Sequence, residues 1–303
     1  MIVITVGKSY IDIDGYASSI AYRELLKMKG IDSKFVSNAV LNYSITDSLK
    51  SMPYSVDDYS IDSNDKYIIL DLSNKTFFPE FIGENNIIGI IDHHTGFEDY
   101  WDNKLGNNAI IESIGSVATI IVEKYEQDGL LDRMDKDIAK LLMAAILDNT
   151  LNFTANITTE RDKNAYKKLE LLINEYDYSS TYFGECQKYI EDNLQKSIKN
   201  DMKIQKVNEY LPEVFGQLTI WNAEELLRKR DFINQIMNAY GNEWMLNIIS
   251  LNNNSSYIMY SNEEIKNKLG QLLDCYDKNG TLIKSPAMLR KEIMKTALAQ
   301  KSK

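Results

Sequence analysis

Histidine and cysteine are scarce in this sequence, with two of each among 303 residues. The cysteines, Cys186 and Cys275, form no Cys-x-x-Cys pair, which is typical of a protein from a reducing compartment and not of a disulfide framework. The histidines are adjacent, at His93 and His94. A serine–histidine or cysteine–histidine couple would have to use one of these two residues, so nucleophilic triad chemistry is disfavoured.

Long apolar runs and a positive charge are also missing. No run approaches the ~20 apolar residues that cross a bilayer, and residues 1–6 resemble a strand and not a leader, so we expect a cytoplasmic protein without a membrane partner. The formal net charge of -10 argues against nucleic acid as a partner, because lysine and arginine supply most of that affinity. Residues 284–303 are basic, and charge alone fits a solvated tail or a binding segment equally well.

Short apolar strands alternate with helical segments in the first half of the chain. Strands are predicted at residues 2–6, 34–36, 67–72 and 87–91, and helices at 16–29, 116–127, 135–146 and 159–176. Such strands predict a parallel sheet covered by helices on both faces. Strands at 214–221, 244–251 and 257–260 with helices at 223–239 and 263–273 predict a smaller mixed α/β domain. The predicted domains are 1–185 and 201–303, joined by a linker at 186–200.

Acidic or histidine residues follow these elements at the points where they end. They are Asp12, Asp14, Asp71, the triplet Asp92-His93-His94, and Asp148. A single aspartate in such a place more often caps a helix or forms a turn. Their repetition at the carboxyl ends of parallel strands, where ligands gather, favours one shared site. Since imidazole and carboxylate groups bind divalent cations, the clusters predict a site for two cations.

Four segments carry a resemblance to a known family. They are Gly7–Asp14, Leu70–Ser73, Asp92–His94 and Ala144–Phe153. They resemble the metal-binding motifs of the DHH phosphoesterase superfamily, in the branch of family II (manganese-dependent) inorganic pyrophosphatases and exopolyphosphatases. Asp201–Lys203 and Ser285–Lys291 are similar to phosphate-binding segments of the accessory domain in that branch, so the resemblance covers essentially the whole chain.

The resemblance implies an α/β fold with the active site in the cleft between two domains. It implies a metal-dependent enzyme that hydrolyses phosphoanhydrides, such as pyrophosphate or short polyphosphate, or a related phosphate ester, using a water activated by one or two Mn²⁺ or Mg²⁺ ions. The expected partner is a small phosphorylated substrate, and a homodimer stays open beside a monomer. The glycine-rich, histidine-bearing end of the nuclease branches is absent.

Site residues follow from the matched motifs. The implied metal ligands are Asp12, Asp14, Asp71, His93 and Asp148. The implied catalytic residues are Asp71, His93, His94 and Asp148. The implied substrate-binding residues are Lys8, His94, Asn149, Lys203, Arg290 and Lys291. Oxygen ligands with one imidazole suit Mn²⁺ or Mg²⁺ better than zinc.

Two positions depart from the pyrophosphatase pattern. Lys8 stands where those enzymes have a metal-binding histidine, and Asn149 stands at the usual aspartate, with Asp148 one place earlier. Exopolyphosphatase-like members match both positions more closely, so that group is favoured. A protonated lysine cannot bind a metal, and one cation site is expected to be weakened. The alternative is a catalytically degenerate member that binds a phosphorylated ligand as a sensor or scaffold.

Overall fold

The computed structural model describes residues 1–204, 206 and 208–300, apart from the side chain of Lys291. The chain divides into two compact units, Met1–Tyr182 and Phe183–Lys303. No helix in the described ranges is long and apolar enough to cross a membrane.

The first unit is built on a parallel sheet. Its strands are β1 (Ile2–Thr5), β2 (Tyr10–Ile11), β3 (Ser33–Phe35), β4 (Val40–Leu41), β5 (Lys66–Leu70), β6 (Ile87–Asp92) and β7 (Ala109–Ile111). Five of them form one sheet in the order β3-β1-β5-β6-β7, and every neighbouring pair is parallel. The short strands β2 and β4 pair separately. The carboxyl ends of the five strands therefore meet at one edge, as the sequence predicts.

Helices cover this sheet. They are α1 (Ile13–Met28), α2 (Asp47–Lys50), α3 (Glu98–Leu105), α4 (Val117–Gln127), α5 (Lys136–Asn149), α6 (Glu160–Ile173) and α7 (Tyr178–Asp192), which runs across the boundary of the units. On one face of the sheet, Val3, Tyr67 and Ile69 pack with Trp101 of α3. Helix α1 contacts β1, β3 and β5, and α5 packs against α1 and α6. The run 141–147 of α5 is fully buried, which explains why it contains no polar side chain.

The second unit is a mixed sheet with helices. Its elements are α8 (Leu194–Asn200), β8 (Lys203–Ile204), β9 (Val214–Ile220), α9 (Glu224–Arg228), α10 (Arg230–Asn238), β10 (Trp244–Ser250), β11 (Ser255–Tyr260), α11 (Glu263–Leu273), β12 (Tyr276–Lys278), β13 (Thr281–Lys284) and α12 (Arg290–Ala299). The sheet order is β12-β13-β11-β10-β9-β8, with β9 and β10 parallel and the other pairs antiparallel. The predicted fold class, a parallel α/β domain followed by a smaller mixed one, is confirmed.

Several details differ from the sequence prediction. The predicted linker, residues 186–200, is helical apart from Asn193, because residues 186–192 end α7 and residues 194–200 form α8. The helix predicted at 223–239 is two helices, because Lys229 leaves the helical conformation at φ -88° and ψ 21°. The hairpin of β12 and β13 was not predicted, although Asn279-Gly280, both with positive φ, is a common signal for a tight hairpin turn.

Candidate metal centre

Two neighbouring strands bring three metal-capable side chains together. Asp71 follows β5, and its N–H donates to the carbonyl oxygen of Ile91 at 2.8 Å. His93 and His94 follow β6, the next strand in the sheet. One ligand-capable atom from each of Asp71, His93 and His94 lies within 4.8 Å of the others, a spacing that could hold a metal ion. The adjacency of β5 and β6 therefore creates this group.

The ring of His93 is oriented by a backbone carbonyl. Its Nδ1 lies 3.1 Å from the carbonyl oxygen of Ile114, which can only accept a hydrogen bond, so Nδ1 carries the proton. The other nitrogen, Nε2, lies 3.3 Å from Oδ1 of Asp71 and 3.9 Å from Oδ2 of Asp14. In a neutral imidazole Nε2 is an acceptor. Three acceptor atoms, His93 Nε2, Asp71 Oδ1 and Asp14 Oδ2, then face one another and repel. A proton or a metal cation between them removes this repulsion.

Asp71 fits a cation for a second reason. Its Oδ1 is buried without a hydrogen bond of acceptable geometry, which is costly unless another group satisfies it. Burial, together with the charge of Asp12, holds the pKa of Asp71 well above its usual range. Burial alone would lower the pKa of His93, but Asp71 and Asp14 raise it to about 10. Without a metal ion, a proton therefore stays bound within the group formed by His93, Asp71 and Asp14.

The backbone of Asp71 is in the left-handed region, with φ at 58°. Aspartate and asparagine visit this region more readily than most residues, because a short polar side chain can bond locally. Strained conformations of this kind cluster at functional sites.

Asp14 is held by the start of a helix. Its carboxylate is fully buried and accepts from the Ser116 hydroxyl and from the N–H groups of Val117 and Ala118, each at 2.9 Å. The positive end of the α4 dipole therefore stabilises the charge. Burial still raises the pKa of Asp14, and His93 opposes that rise.

Asp12 lies close enough to the other carboxylates to act on them electrostatically. It caps α1 by accepting from the N–H of Gly15 at 3.1 Å. A Cβ placed on Gly15 would lie 3.7 Å from Oδ1 of Asp12 and 3.4 Å from Oδ2 of Asp71, so both carboxylates flank this glycine. The charge of Asp12 also raises the pKa of Asp14, Asp71 and Asp148. Four carboxylates thus share one region.

Asp148 lies near the end of α5, and its Oδ1 accepts from the Tyr182 hydroxyl at 3.0 Å. Burial and the charge of Asp12 raise the pKa of Asp148 to about 7. Asn149 points differently, since its Nδ2 lies 3.5 Å from the carbonyl oxygen of Ala145 in its own helix. Asp148 therefore interacts with the carboxylate cluster, while the Asn149 amide donates within its own helix.

The remaining predicted residues lie elsewhere. Lys8 is exposed within the first motif, and its N–H donates to the carbonyl oxygen of Phe77. In the second unit, Lys203 is exposed on β8. Arg290 at the start of α12 donates to the backbone oxygen of Asp201 and, at 2.8 Å, to its carboxylate. The side chain of Lys291 lies outside the described part of the chain.

Three residues that support this centre were missed by sequence reasoning. The carboxylate of Asp162 accepts from the N–H of Gly115 at 3.1 Å and so fixes the loop that holds Asp14 and His93. A Cβ on Gly115 would lie 2.7 Å from that carboxylate, so no side chain fits there. Tyr182 lies in a segment without a predicted helix, although the buried positions 178, 182, 186 and 190 follow a spacing that could have revealed that helix.

Comparison with known proteins supports the motifs. The model of the DHH family, N-terminal domain, matches residues 2–146. A "probable manganese-dependent inorganic pyrophosphatase" of Bacillus licheniformis is 29% identical over 171 residues, which span 55% of this chain and 54% of that protein. A manganese-dependent inorganic pyrophosphatase of Methanothrix thermoacetophila is 26% identical over 251 residues, or 76% of this chain and 74% of that protein. The match thus spans about half of the first relative and three quarters of the second.

Solved structures show the same fold. A Methanococcus jannaschii protein provisionally classed as a family II inorganic pyrophosphatase superposes with a TM-score of 0.63 over 98% of this chain and 99% of its own, at 18% identity. An exopolyphosphatase-related protein of Bacteroides fragilis gives a TM-score of 0.53 over 98% and 90%, at 16% identity. Residues 2–146 thus match the DHH family, N-terminal domain, and over 251 residues the chain is similar to a manganese-dependent inorganic pyrophosphatase.

Proposed function

We propose that this protein is a metal-dependent hydrolase of phosphoanhydrides, with pyrophosphate or short polyphosphate as its substrate, or of a related phosphate ester. The observation that carries the proposal is the meeting of three acceptor atoms, His93 Nε2, Asp71 Oδ1 and Asp14 Oδ2. Such a set needs a proton or a metal cation between its members, and a metal cation can accept electron pairs from all three atoms. The manganese dependence and pyrophosphatase activity named for the relatives support the same conclusion.

The cation is Mn²⁺ or Mg²⁺, because carboxylate oxygens with imidazole nitrogen suit these ions. The proposed ligands are Asp12, Asp14, Asp71, His93 and Asp148. A divalent cation held by these residues would lower the pKa of a water molecule and polarise phosphoryl oxygens, which is the chemistry that this hydrolysis needs. The chain itself supplies a buried region in which Asp14 and Asp71 face the imidazole of His93.

His94 is suited to contact the substrate. Its ring is 63% exposed, and its Nδ1 lies 2.8 Å from Oδ1 of Asp92, which leaves Nε2 free to face a ligand. The hydrogen bond with Asp92 raises the pKa of His94. A protonated His94 can donate from Nε2 to a phosphoryl or leaving-group oxygen, which is the role of a general acid.

Lys203 and Arg290 are proposed to bind a phosphate of the substrate. A planar guanidinium group donates two parallel hydrogen bonds and therefore matches phosphate geometry. The Arg290 group is oriented by Asp201, and Lys203 lies close enough to lower the pKa of that same carboxyl group. The positively charged side chains of Lys203 and Arg290 therefore both lie near Asp201.

The test is phosphate release by metal-stripped protein, with Mn²⁺ or Mg²⁺ restored, from pyrophosphate and tripolyphosphate. We expect release that depends on the metal and falls by at least about a hundredfold in Asp71→Asn, since a charged ligand is lost. Asparagine tolerates the positive φ of this position, so the fold should remain intact. The exposed Asp132→Asn serves as the matched control.

Full activity in Asp71→Asn would contradict the proposed role of that residue. Phosphate binding without turnover in the wild-type protein, with either metal, would instead support the sensor or scaffold alternative.

A further inference from the structure

One strand of the second unit carries a fully buried amide group. Asn247 lies in the middle of β10, in which every other residue except Ser250 is apolar. Its Nδ2 donates to the carbonyl oxygen of Met288 at 2.8 Å, while its Oδ1 is buried without a hydrogen-bond partner in the described ranges. A buried acceptor left unsatisfied lowers stability, and an apolar residue of similar size would avoid that cost. The hydrogen bond to Met288 therefore accounts for the asparagine at this position.

Asn247 belongs to a row of three polar side chains on one face of the sheet. Gln217 of β9 is paired with Asn247, and Ser256 of β11 is paired with Ile249, two residues further along β10. Paired residues of neighbouring strands, and residues two apart in one strand, point to the same face. The apolar residues on that face, Phe215, Met245 and Ile258, share a core cluster with Ile293 and Ala297 of α12. The polar row therefore lies beside the surface that α12 covers.

All three side chains of the row bind the segment that leads into α12. The hydroxyl of Ser256 accepts from the N–H of Met288 at 3.0 Å, and Asn247 holds the carbonyl of the same residue. Oε1 of Gln217 accepts from the N–H of Arg290 at 2.6 Å. Arg290 is the first residue of α12, and the N–H groups of a first helical turn have no partner within their own helix. Three neighbouring strands therefore fix the backbone that carries Arg290.

We infer that Asn247 is a positioning residue for substrate binding, which acts through Met288 and Arg290. The inference rests on the proposed function, in which Arg290 binds a phosphate of the substrate. Asp201 holds the guanidinium end of Arg290, and the polar row holds its backbone end. Loss of the Asn247 hydrogen bond lets the segment at Met288 shift, and the guanidinium group then loses its alignment with the phosphate. A binding group contributes most affinity when it is held in place before the ligand arrives.

Pyrophosphate hydrolysis by Asn247→Leu tests this role, because leucine is close to asparagine in size and cannot donate a hydrogen bond. We expect KM to rise about three- to tenfold, the equivalent of one hydrogen bond, with kcat nearly unchanged. Urea unfolding should show little loss of stability, since the unsatisfied Oδ1 is removed together with the donor. Asn247→Ala is the second variant and should raise KM in the same way.

The matched control is Asn208→Leu. Nδ2 of Asn208 also donates to a backbone carbonyl of α12 at 2.8 Å, but at Ala297 near the opposite end of that helix. This variant should leave KM unchanged, because the segment that carries Arg290 keeps all its hydrogen bonds to the polar row.

A double-mutant cycle with Arg290→Ala separates positioning from a general structural effect. If Asn247 acts through Arg290, Asn247→Leu should change KM by less than about twofold once Arg290 is replaced. Equal effects of Asn247→Leu with and without Arg290, or an unchanged KM in the single variant, would overturn the inference while pyrophosphate hydrolysis still supported the proposed function. If the wild type binds pyrophosphate without hydrolysing it, the proposed function fails, and calorimetric affinities of the same variants decide the inference. A wild type that neither hydrolyses nor binds pyrophosphate would overturn both.

Discussion

The Nε2 atom of His93 lies 3.3 Å from Oδ1 of Asp71. Because Nδ1 of the same ring faces the carbonyl oxygen of Ile114, the Nε2 lone pair and the carboxylate are directed at one position. A proton or a metal ion can occupy that position, but not both. The protonation of this cluster and its metal affinity are therefore linked.

Asp148 should make the stability of the metal-free protein depend on pH. Its folded-state pKa of about 7 lies above the ordinary value of 3.8, so the folded protein binds more protons than the unfolded chain between these values. The free energy of unfolding should therefore fall as pH rises through this window. Asp148→Asn removes this contribution and keeps an acceptor for the Tyr182 hydroxyl.

Urea unfolding in the presence of a chelator, at about pH 5 and about pH 8, measures this difference. We expect Asp148→Asn to gain stability over the wild type at the higher pH and little at the lower. An equal change at both pH values would show that the Asp148 carboxyl does not titrate as its burial indicates.

Asp162 should support the metal centre from a distance. Its carboxylate accepts from the N–H of Gly115 and, at 2.6 Å, from the hydroxyl of Thr119. In Asp162→Asn, the amide NH₂ group would replace one of the two accepting oxygens. At least one buried donor would then lack an acceptor, which lowers the free energy of unfolding by about 1–3 kcal/mol. Since the Gly115 loop also holds His93 and Asp14, Mn²⁺ affinity should fall with it.

Denaturant unfolding and calorimetric Mn²⁺ titration give the two readouts, with the exposed Asp192→Asn as control. Reduced stability with unchanged Mn²⁺ affinity would mean that the loop and the metal centre are independent.

Lys8 occupies the place of a metal-binding histidine in the pyrophosphatase motif. Lys8→His should therefore raise the affinity for Mn²⁺ by about tenfold, or about 1.4 kcal/mol, by replacing a cation with a ligand. Lys8→Gln separates the two effects, since it removes the charge without adding an imidazole. Titration of metal-stripped protein measures both variants, and equal gains would assign the effect to charge alone.

Arg290→Ala should mainly raise KM. A contact of equal strength in the ground state and the transition state changes substrate binding and leaves kcat nearly constant. The loss of one charged hydrogen-bonding group corresponds to about 1.5–3 kcal/mol, or roughly ten- to a hundredfold in KM. The control is Arg228→Ala, whose guanidinium pairs with Glu225 on the surface of α9. A fall in kcat with constant KM would contradict a simple binding role.

The sequence by itself determined the parallel first sheet and the position of its acidic ends. Strands with continuous apolar residues are buried on both faces, and their carboxyl ends share an edge, so Asp71 and His93 could be predicted to meet. These inferences need only local patterns and one general rule of sheet geometry.

The tertiary structure alone decided how each ligand-bearing side chain is held. Asp14 is bound by Ser116, 102 residues away, and Gly115 is bound by Asp162, 47 residues away. Tyr182 reaches Asp148 across 34 residues. Such contacts leave no periodic trace in the sequence, because they depend on where separate elements pack and not on the conformation of any one of them.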